Sequence, residues 1–305
     1  MKWELTFLKK RGESKSQKDE ESKRQRDEES KSQKDKEYKR MMDKVAAIEQ
    51  LTPMYGRREA IAIAEWIAEE PEGSYNFCEV IARLQNNEPL QYIFGHTDWR
   101  GLRLELSADT LIPRPETSEL VDEVLRLYTT LALQGPVLDI CTGSGCISIA
   151  LGKKQPAMPL FACDISNGAL EMAIRNAQNN NVSIRFFQQD ILSPDAADTI
   201  REKTGCEAFD IIVANPPYIC QAERAEMEAN VLEYEPALAL FVPDADPLLF
   251  YRAIARLHLA PILCFEINRR FGRQSAELLQ QEGYPNTRIL TDMFGEQRIL
   301  IASQS

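Results

Sequence analysis

From residue 135 onward, short apolar runs alternate with stretches of helical periodicity, and this alternation limits the fold more than any other feature. The runs lie at 137–140, 160–162, 184–187, 211–213, 262–265, 289–290 and 299–301. Strands that alternate with helices form a parallel sheet covered by helices on both faces. The last two runs have no helical stretch between them, which predicts an antiparallel hairpin at one edge. We therefore expect an α/β fold with a seven-stranded, mostly parallel sheet and an antiparallel edge strand.

The N-terminal part of the chain has two other patterns. Residues 1–37 are a charged tail, and its eight-residue repeat at 13–36 contains no apolar residue. Such a segment is either disordered or a solvated helix supported by ion pairs one turn apart. Residues 38–87 have the apolar spacing of a small helical domain. The first apolar positions with this spacing are Met41, Val45, Ile48 and Leu51.

Between these helices and the sheet lies a segment with strand character. Tyr92, Ile93 and Phe94 form a short apolar run, and apolar residues alternate with others farther along. This pattern predicts a β-hairpin over residues 88–110 that links the helical domain to an α/β domain at 111–305.

Composition and charge exclude several classes of protein. Seven scattered cysteines include no CxxC pair, which is typical of reduced thiols in a cytoplasmic protein. No apolar run approaches the length of a membrane span. The net charge is −11, and residues 1–40 contribute +4, so the rest carries −15. An acidic body argues against a large contact with nucleic-acid phosphates, and two isolated histidines argue against a metal site.

The turn after the first run of the α/β domain has the features of a cofactor site. Its candidate binding residues are Cys141, Thr142, Gly143, Ser144 and Gly145. Ser148 stands where a dinucleotide-binding loop needs a third glycine or alanine, and no Walker lysine follows. Asp164 and Asp190 end the next two runs, where a carboxylate can accept from ribose hydroxyls or from an adenine amine. Together these residues predict an S-adenosylmethionine site without metal.

The fourth run delivers Asn215-Pro216-Pro217-Tyr218 to the same edge of the sheet. Two prolines stiffen the backbone and remove two N–H donors, so the Asn215 side-chain oxygen and the Pro216 carbonyl remain as acceptors. An –NH₂ group offers two donors to such a pair, and Tyr218 can stack on the planar group that carries it. We therefore predict methyl transfer to a planar amide or amino nitrogen, with Asn215, Pro216 and Tyr218 as catalytic residues and all four as substrate-binding residues.

Residues 88–305 resemble the release-factor glutamine N5-methyltransferases of the HemK/PrmC type. The matching segments are 89–95, 111–117 (Leu-Ile-Pro-Arg-Pro-Glu-Thr), 138–145, 215–218 and 235–239 (Glu-Pro-Ala-Leu-Ala). The resemblance implies a class I, Rossmann-like methyltransferase sheet and a helical domain that holds the protein substrate. It implies methylation of the glutamine in the Gly-Gly-Gln loop of class I peptide chain release factors, with S-adenosylhomocysteine as the other product. It also implies that Ile191 packs against adenine and that Asn215 contacts the cofactor.

Other functions remain open at this point. The Asn-Pro-Pro-Tyr motif is shared with methyltransferases that act on adenine N6 or guanine N2 of nucleic acids, and a ribosomal-protein glutamine is a further alternative substrate. A third hypothesis is a binding module that has lost turnover. It is motivated by Cys141, which stands where the family usually has glycine. Asn268 also replaces a common glycine of the family.

Overall fold

The computed structural model describes residues 2–71 and 73–304, with side chains from Lys23 onward except at positions 25, 27 and 29. The chain divides into two compact units, one ending at Asn86 and the other beginning at Asn87. Each unit has its own buried apolar side chains. In the described part of the chain, no helix is long and apolar enough to cross a membrane.

The first unit consists of three helices. They are α1 (Lys2–Tyr55), α2 (Arg57–Glu69) and α3 (Phe77–Gln85). Helix α1 runs without a break through the charged repeat and through the predicted tail boundary at residue 37. The side chains described between 23 and 42 are exposed. Of the two states expected for the repeat, the structure therefore has the helix, and its side chains are exposed where they are described, from Lys23 onward.

The core of the first unit lies at the C-terminal end of α1. Ala47 and Leu51 are fully buried, whereas Met41 and Val45 are about half exposed. The 13 residues of α2 span only about 20 Å, so α2 covers only the last part of a 54-residue helix of about 80 Å, and there it covers one face. The apolar spacing at Met41 and Val45 thus indicates the helix correctly but not its buried face.

The second unit begins with helix α4 (Leu90–Phe94) and the antiparallel strands β1 (His96–Trp99) and β2 (Leu102–Glu105). The predicted hairpin is present, but Tyr92 to Phe94 belong to the helix and not to a strand. Pro89 precedes this helix, and Gly95 ends it in the left-handed conformation with φ 72°. These two residues enclose one helical turn in a run whose composition alone favours a strand.

The main sheet has seven strands. They are β3 (Val137–Ile140), β4 (Leu160–Asp164), β5 (Arg185–Gln188), β6 (Ile211–Ala214), β9 (Ile262–Glu266), β10 (Asn286–Thr291) and β11 (Gln297–Ser303). A separate parallel pair consists of β7 (Ile219–Cys220) and β8 (Phe241–Val242). The helices are α5 (Thr117–Thr130), α6 (Cys146–Lys154), α7 (Asn167–Asn179), α8 (Ala196–Thr204), α9 (Ala229–Tyr234), α10 (Ala237–Leu240), α11 (Leu249–Arg256) and α12 (Gly272–Gln281), with a 3₁₀ helix at Gln221–Glu226.

The strand order is β10-β11-β9-β6-β3-β4-β5, which confirms the class I methyltransferase fold expected from the sequence. The predicted hairpin of β10 and β11 lies at one edge. Within it, the reversed strand is β11, which pairs antiparallel with both β9 and β10 and is second from the edge. The outermost strand, β10, therefore runs in the same direction as β9. The connection through α12 leads from β9 past the neighbouring strand position to β10, and β11 then fills the position between β9 and β10.

The two faces of the sheet bury two apolar clusters. Leu138 and Ile140 of β3 belong to one cluster, while Val137 belongs to the other, as the alternation of side chains along a strand requires. Helices α11 and α12 supply residues to the first cluster, and α5 and α6 supply residues to the second. The loops after β3, β4, β5, β6 and β9 leave the sheet at its carboxyl edge, where open α/β sheets bind ligands.

Candidate active site

The loop after β3 is held in a tight, left-handed turn. Cys141, Gly143 and Gly145 have φ values of 60°, 55° and 80°, and α6 begins directly after Gly145. Thr142 Oγ1 donates to the buried carboxylate of Asp139 at 2.6 Å. Burial raises the pKa of Asp139 to about 7, since desolvation outweighs the hydrogen bonds from Thr142 and Ser148. The strand end and the start of the helix are thus tied together beneath the turn.

The two predicted acids lie on the neighbouring strand ends. Asp164 Oδ2 accepts from the Gly143 backbone N–H at 2.9 Å, so this carboxylate is in direct contact with the turn. Burial raises the pKa of Asp164 despite the hydrogen bonds it accepts. Asp190 is exposed, and its Oδ1 accepts a hydrogen bond from the Leu192 backbone N–H at 2.9 Å within the same loop. The adjacent Ile191 is buried. The structure therefore brings Asp164, Asp190 and Ile191 together around the turn.

A cavity of about 360 Å³ opens at this edge. Of the predicted cofactor residues, the lining includes Cys141, Thr142, Gly143, Ser144, Asp164, Asp190, Ile191 and Asn215. The further lining residues include Leu111, Pro113, Arg114, Thr117, Gln189, Leu192, Pro217, Phe250 and residues 236–239. A volume above 300 Å³ with mostly apolar walls and a few carboxylates is typical of a cofactor site.

Gly145 is not among the described residues that line this cavity. A Cβ at Gly145 would lie 3.1 Å from Ala173 Cβ and 3.1 Å from Ile149 Cδ1. The glycine is therefore needed for the close approach of α6 and α7, and its left-handed φ adds a second reason for glycine.

A second cavity of about 320 Å³ adjoins the first. Its lining includes Tyr218 and the side chains of Ile219, Met227, Val231 and Leu240. Four residues line both cavities: Leu111, Arg114, Asn215 and Ala239. Pro216 is buried and is not among the described residues that line either cavity. Asn215 thus lies at the junction of two spaces, which is the arrangement that transfer between two bound molecules requires.

The chain is similar to characterised methyltransferases. A family model described as the methyltransferase small domain matches residues 117–234. A release factor glutamine methyltransferase of Bacteroides thetaiotaomicron is 43% identical over 230 residues, which cover 74% of this chain and 79% of that relative. One of Streptococcus pneumoniae is 39% identical over 232 residues, covering 73% and 77%. The chain belongs to the release factor glutamine methyltransferase family.

The solved structures agree with this fold. A crystal structure of the hMettl16 catalytic domain superposes on this methyltransferase with a TM-score of 0.52 and 13% sequence identity, covering 77% of this chain and 94% of that chain. At such low identity the likeness concerns the fold alone. The nucleic-acid alternative is not favoured, because the relatives with high identity are named as release factor enzymes.

An ion pair that the sequence did not predict holds the wall between the two cavities of this methyltransferase. Arg114 Nη2 lies 2.5 Å from Glu235 Oε1, and the backbone N–H of Ile112 donates to Glu235 Oε2 at 3.4 Å. The Glu235 side chain is 1% exposed. Both charged residues lie in segments that carry the family resemblance, 111–117 and 235–239. Their opposite charges were a detectable signal, but nothing in the sequence indicates that the two segments meet.

A buried carboxylate behind the Asn-Pro-Pro-Tyr loop was also missed. Glu266 ends β9 and accepts from Thr117 Oγ1 at 2.6 Å and from the Tyr218 hydroxyl at 2.9 Å. Burial raises the pKa of Glu266. Asn268 Nδ2 donates to the backbone carbonyl of Tyr218 at 3.1 Å, which a glycine at this position cannot do. Three residues distant in sequence thus support the loop from below.

Proposed function

We propose that this methyltransferase transfers a methyl group from S-adenosylmethionine to the side-chain amide nitrogen (N5) of a glutamine in a class I peptide chain release factor. The observation that carries the proposal is the junction of two cavities at Asn215, one lined by the cofactor-type turn and the other by apolar side chains. The names of the relatives give the substrate class. A release factor acts in translation, so we expect the protein in the cytoplasm.

The lining of the first cavity fits the cofactor in its chemistry. Asp164 has two carboxylate oxygens that each accept one backbone N–H and keep lone pairs for ribose hydroxyls. Asp190 would accept from the adenine amine, and Ile191 would pack on the ring. The turn at 141–144 would approach the methionine end. When bound, S-adenosylmethionine supplies an electrophilic methyl group on its sulfonium.

The chemistry of an amide nitrogen determines what the other residues must do. Its lone pair is delocalised into the carbonyl, so it is a weak nucleophile. The Asn215 side-chain oxygen and the Pro216 carbonyl would accept the two N–H groups and aim the lone pair along the transfer direction. Tyr218 would pack on the amide plane. Holding the reacting atoms in line at about 3–3.5 Å accounts for much of such catalysis. No strong base is needed, because the methylated nitrogen becomes acidic and loses its proton.

The second cavity suits a protein segment better than a polynucleotide. Its walls include the apolar side chains of Ile219, Met227 and Val231, together with the carboxylates Glu226 and Glu228. Glu226 is paired with Arg270 and Arg114 also lines the cavity, so the preference rests on the apolar wall, which can accept the backbone and small side chains of an extended loop. We assign docking of the rest of the release factor to the helical residues 38–87, as the family resemblance implies.

The test is a transfer assay with methyl-labelled S-adenosylmethionine. The full chain is incubated in parallel with a class I release factor, the same factor with its Gly-Gly-Gln glutamine changed to asparagine, ribosomal proteins, RNA and DNA. We expect label in the unmodified release factor only. Label confined to RNA or DNA, or equal labelling of the asparagine control, contradicts the proposal, and label confined to a ribosomal protein changes the substrate.

A further inference from the structure

A hydrogen-bond chain begins at the Asn215 side chain, passes through Thr117 in the wall of the first cavity and ends at the buried Glu266. Asn215 Nδ2 lies 3.3 Å from Thr117 Oγ1, which lies 2.6 Å from Glu266 Oε2. Thr117 is 2% exposed and Glu266 is 1% exposed, so water does not compete for these contacts. Neither Thr117 nor Glu266 has a role in the transfer chemistry described above.

The donor and acceptor of each hydrogen bond in this hydrogen-bond chain are fixed, because a threonine hydroxyl has only one hydrogen. Thr117 donates that hydrogen to the Glu266 carboxylate, so toward Asn215 the same oxygen can only accept. The Asn215 side chain must therefore present its –NH₂ group to Thr117. Its Oδ1 then points away from this contact. The oxygen and nitrogen of an amide have nearly the same shape, so hydrogen-bond partners decide which way it faces.

The carboxylate at the end of the chain is fixed from its other side. The Tyr218 hydroxyl donates to Glu266 Oε1 at 2.9 Å, so each carboxylate oxygen accepts one hydroxyl. Burial raises the pKa of Glu266, and the two hydroxyl hydrogen bonds and the charge of Arg298, which lies 3.1 Å from Asp292, oppose that shift. Both oxygens of the Glu266 carboxylate, which is the acceptor at the end of the hydrogen-bond chain, are thus held in place.

We propose that Thr117 and Glu266 are positioning residues that fix the Asn215 amide with its oxygen toward the reacting nitrogen of the substrate. The inference rests on the proposed function and deepens it. An inverted Asn215 would present –NH₂ to the –NH₂ of a glutamine, and two donors cannot bond each other. The hydrogen-bond chain thus excludes the orientation of the Asn215 amide in which the –NH₂ group of the substrate has no acceptor.

The test compares Thr117→Val with Thr117→Ser in the full chain, using a class I release factor as methyl acceptor. Valine has the size of threonine but no hydroxyl, whereas serine keeps the hydroxyl and loses a methyl group. We expect Thr117→Val to lower kcat at least tenfold, because a small loss of alignment is amplified in the rate. The KM for the release factor and the unfolding midpoint should stay close to wild type, and the Kd for S-adenosylmethionine should change less than kcat does, although Thr117 is one of the residues that line the first cavity. Thr117→Ser should keep kcat within about threefold.

The outcomes separate the two proposals. Wild-type chain that labels no release factor contradicts the proposed function. Wild-type chain that is active while Thr117→Val keeps full kcat overturns the positioning role. Equal loss of kcat in Thr117→Ser and Thr117→Val also overturns it, because the methyl group and not the hydroxyl would then matter. If Thr117→Val does not fold, Glu266→Gln gives the result. A glutamine places an –NH₂ donor where one of the two carboxylate oxygens accepted a hydroxyl, so the direction of the hydrogen bonds is no longer fixed. We expect reduced kcat with cofactor binding retained, and an unchanged kcat overturns the inference.

Discussion

Replacing Arg114 by methionine should destabilise the second unit more than replacing Glu235 by glutamine, although both changes remove the same ion pair. The Glu235 side chain is 1% exposed and the Arg114 side chain is 32% exposed. Loss of Arg114 leaves a buried carboxylate whose other described contact is the Ile112 N–H at 3.4 Å. Loss of the Glu235 charge leaves a guanidinium that can turn toward water, with an amide oxygen still beside it.

The magnitude follows from this difference in burial. Removing one partner of a buried ion pair costs about 3–5 kcal/mol, because the other charge is left uncompensated. The partial exposure of Arg114 favours the lower end, about 3 kcal/mol for Arg114→Met. Glu235→Gln should cost about 1–1.5 kcal/mol, as for one ordinary hydrogen bond, because the amide oxygen stays beside the guanidinium. In a unit of roughly 220 residues the two unfolding midpoints should then differ by about 3–8 °C.

Urea and thermal unfolding followed by circular dichroism measure both variants. Arg201→Met is the matched control, because Arg201 lies 2.9 Å from Asp198 in a pair whose side chains are 34% and 86% exposed. It should change the free energy of unfolding by less than about 1 kcal/mol. If Glu235→Gln costs as much as Arg114→Met, the buried carboxylate is not what Arg114 stabilises, and the reasoning fails.

Three further predictions concern the carboxyl edge of the sheet. Asn215→Ala should abolish turnover while the Kd for S-adenosylmethionine, measured by calorimetry, changes less than tenfold, about 1.4 kcal/mol; near-normal turnover would remove Asn215 from catalysis. The pKa of Asp139 is raised to about 7 from 3.8, so the folded state keeps a proton that the unfolded state loses, and stability falls as pH rises through this window. Asp139→Asn should remove that part of the fall, about 4 kcal/mol at most between pH 4 and 8, and an unchanged pH profile of urea unfolding would contradict it. Cys141 has φ 60°, so Cys141→Gly should melt at or above wild type and Cys141→Val should be less stable than Cys141→Gly by about 1–2 kcal/mol, whereas equal melting temperatures would exclude a left-handed backbone there.

The sequence predicts the seven strands of the main sheet well, since each contains an apolar run. Its limits appear where local composition competes with neighbouring structure. Tyr92 to Phe94 have strand composition, yet Pro89 and Gly95 enclose them in one helical turn. After α12 the chain forms β10 at the edge of the sheet, and β11 then inserts between β10 and β9. No local sequence pattern encodes this order.

The same distinction holds for the candidate site. The turn at 141–145 and the motif at 215–218 are each contiguous in sequence, so their residue types are enough to predict a cofactor turn and a loop that holds a nitrogen. The supporting residues are not contiguous, because Thr117 and Glu266 are 149 positions apart and Arg114 and Glu235 are 121 positions apart. Such contacts depend on how strand ends converge, and that is known only from the fold.

The wall that the two cavities share makes the binding of their two occupants thermodynamically linked. Leu111, Arg114, Asn215 and Ala239 line both spaces. A ligand that shifts or orders these side chains on one side changes the affinity on the other side, and the same factor must operate in both directions. Release of the used cofactor and release of the methylated protein are therefore coupled only to the extent that these shared side chains move, and the ion pair with the buried Glu235 restrains Arg114, which is one of them.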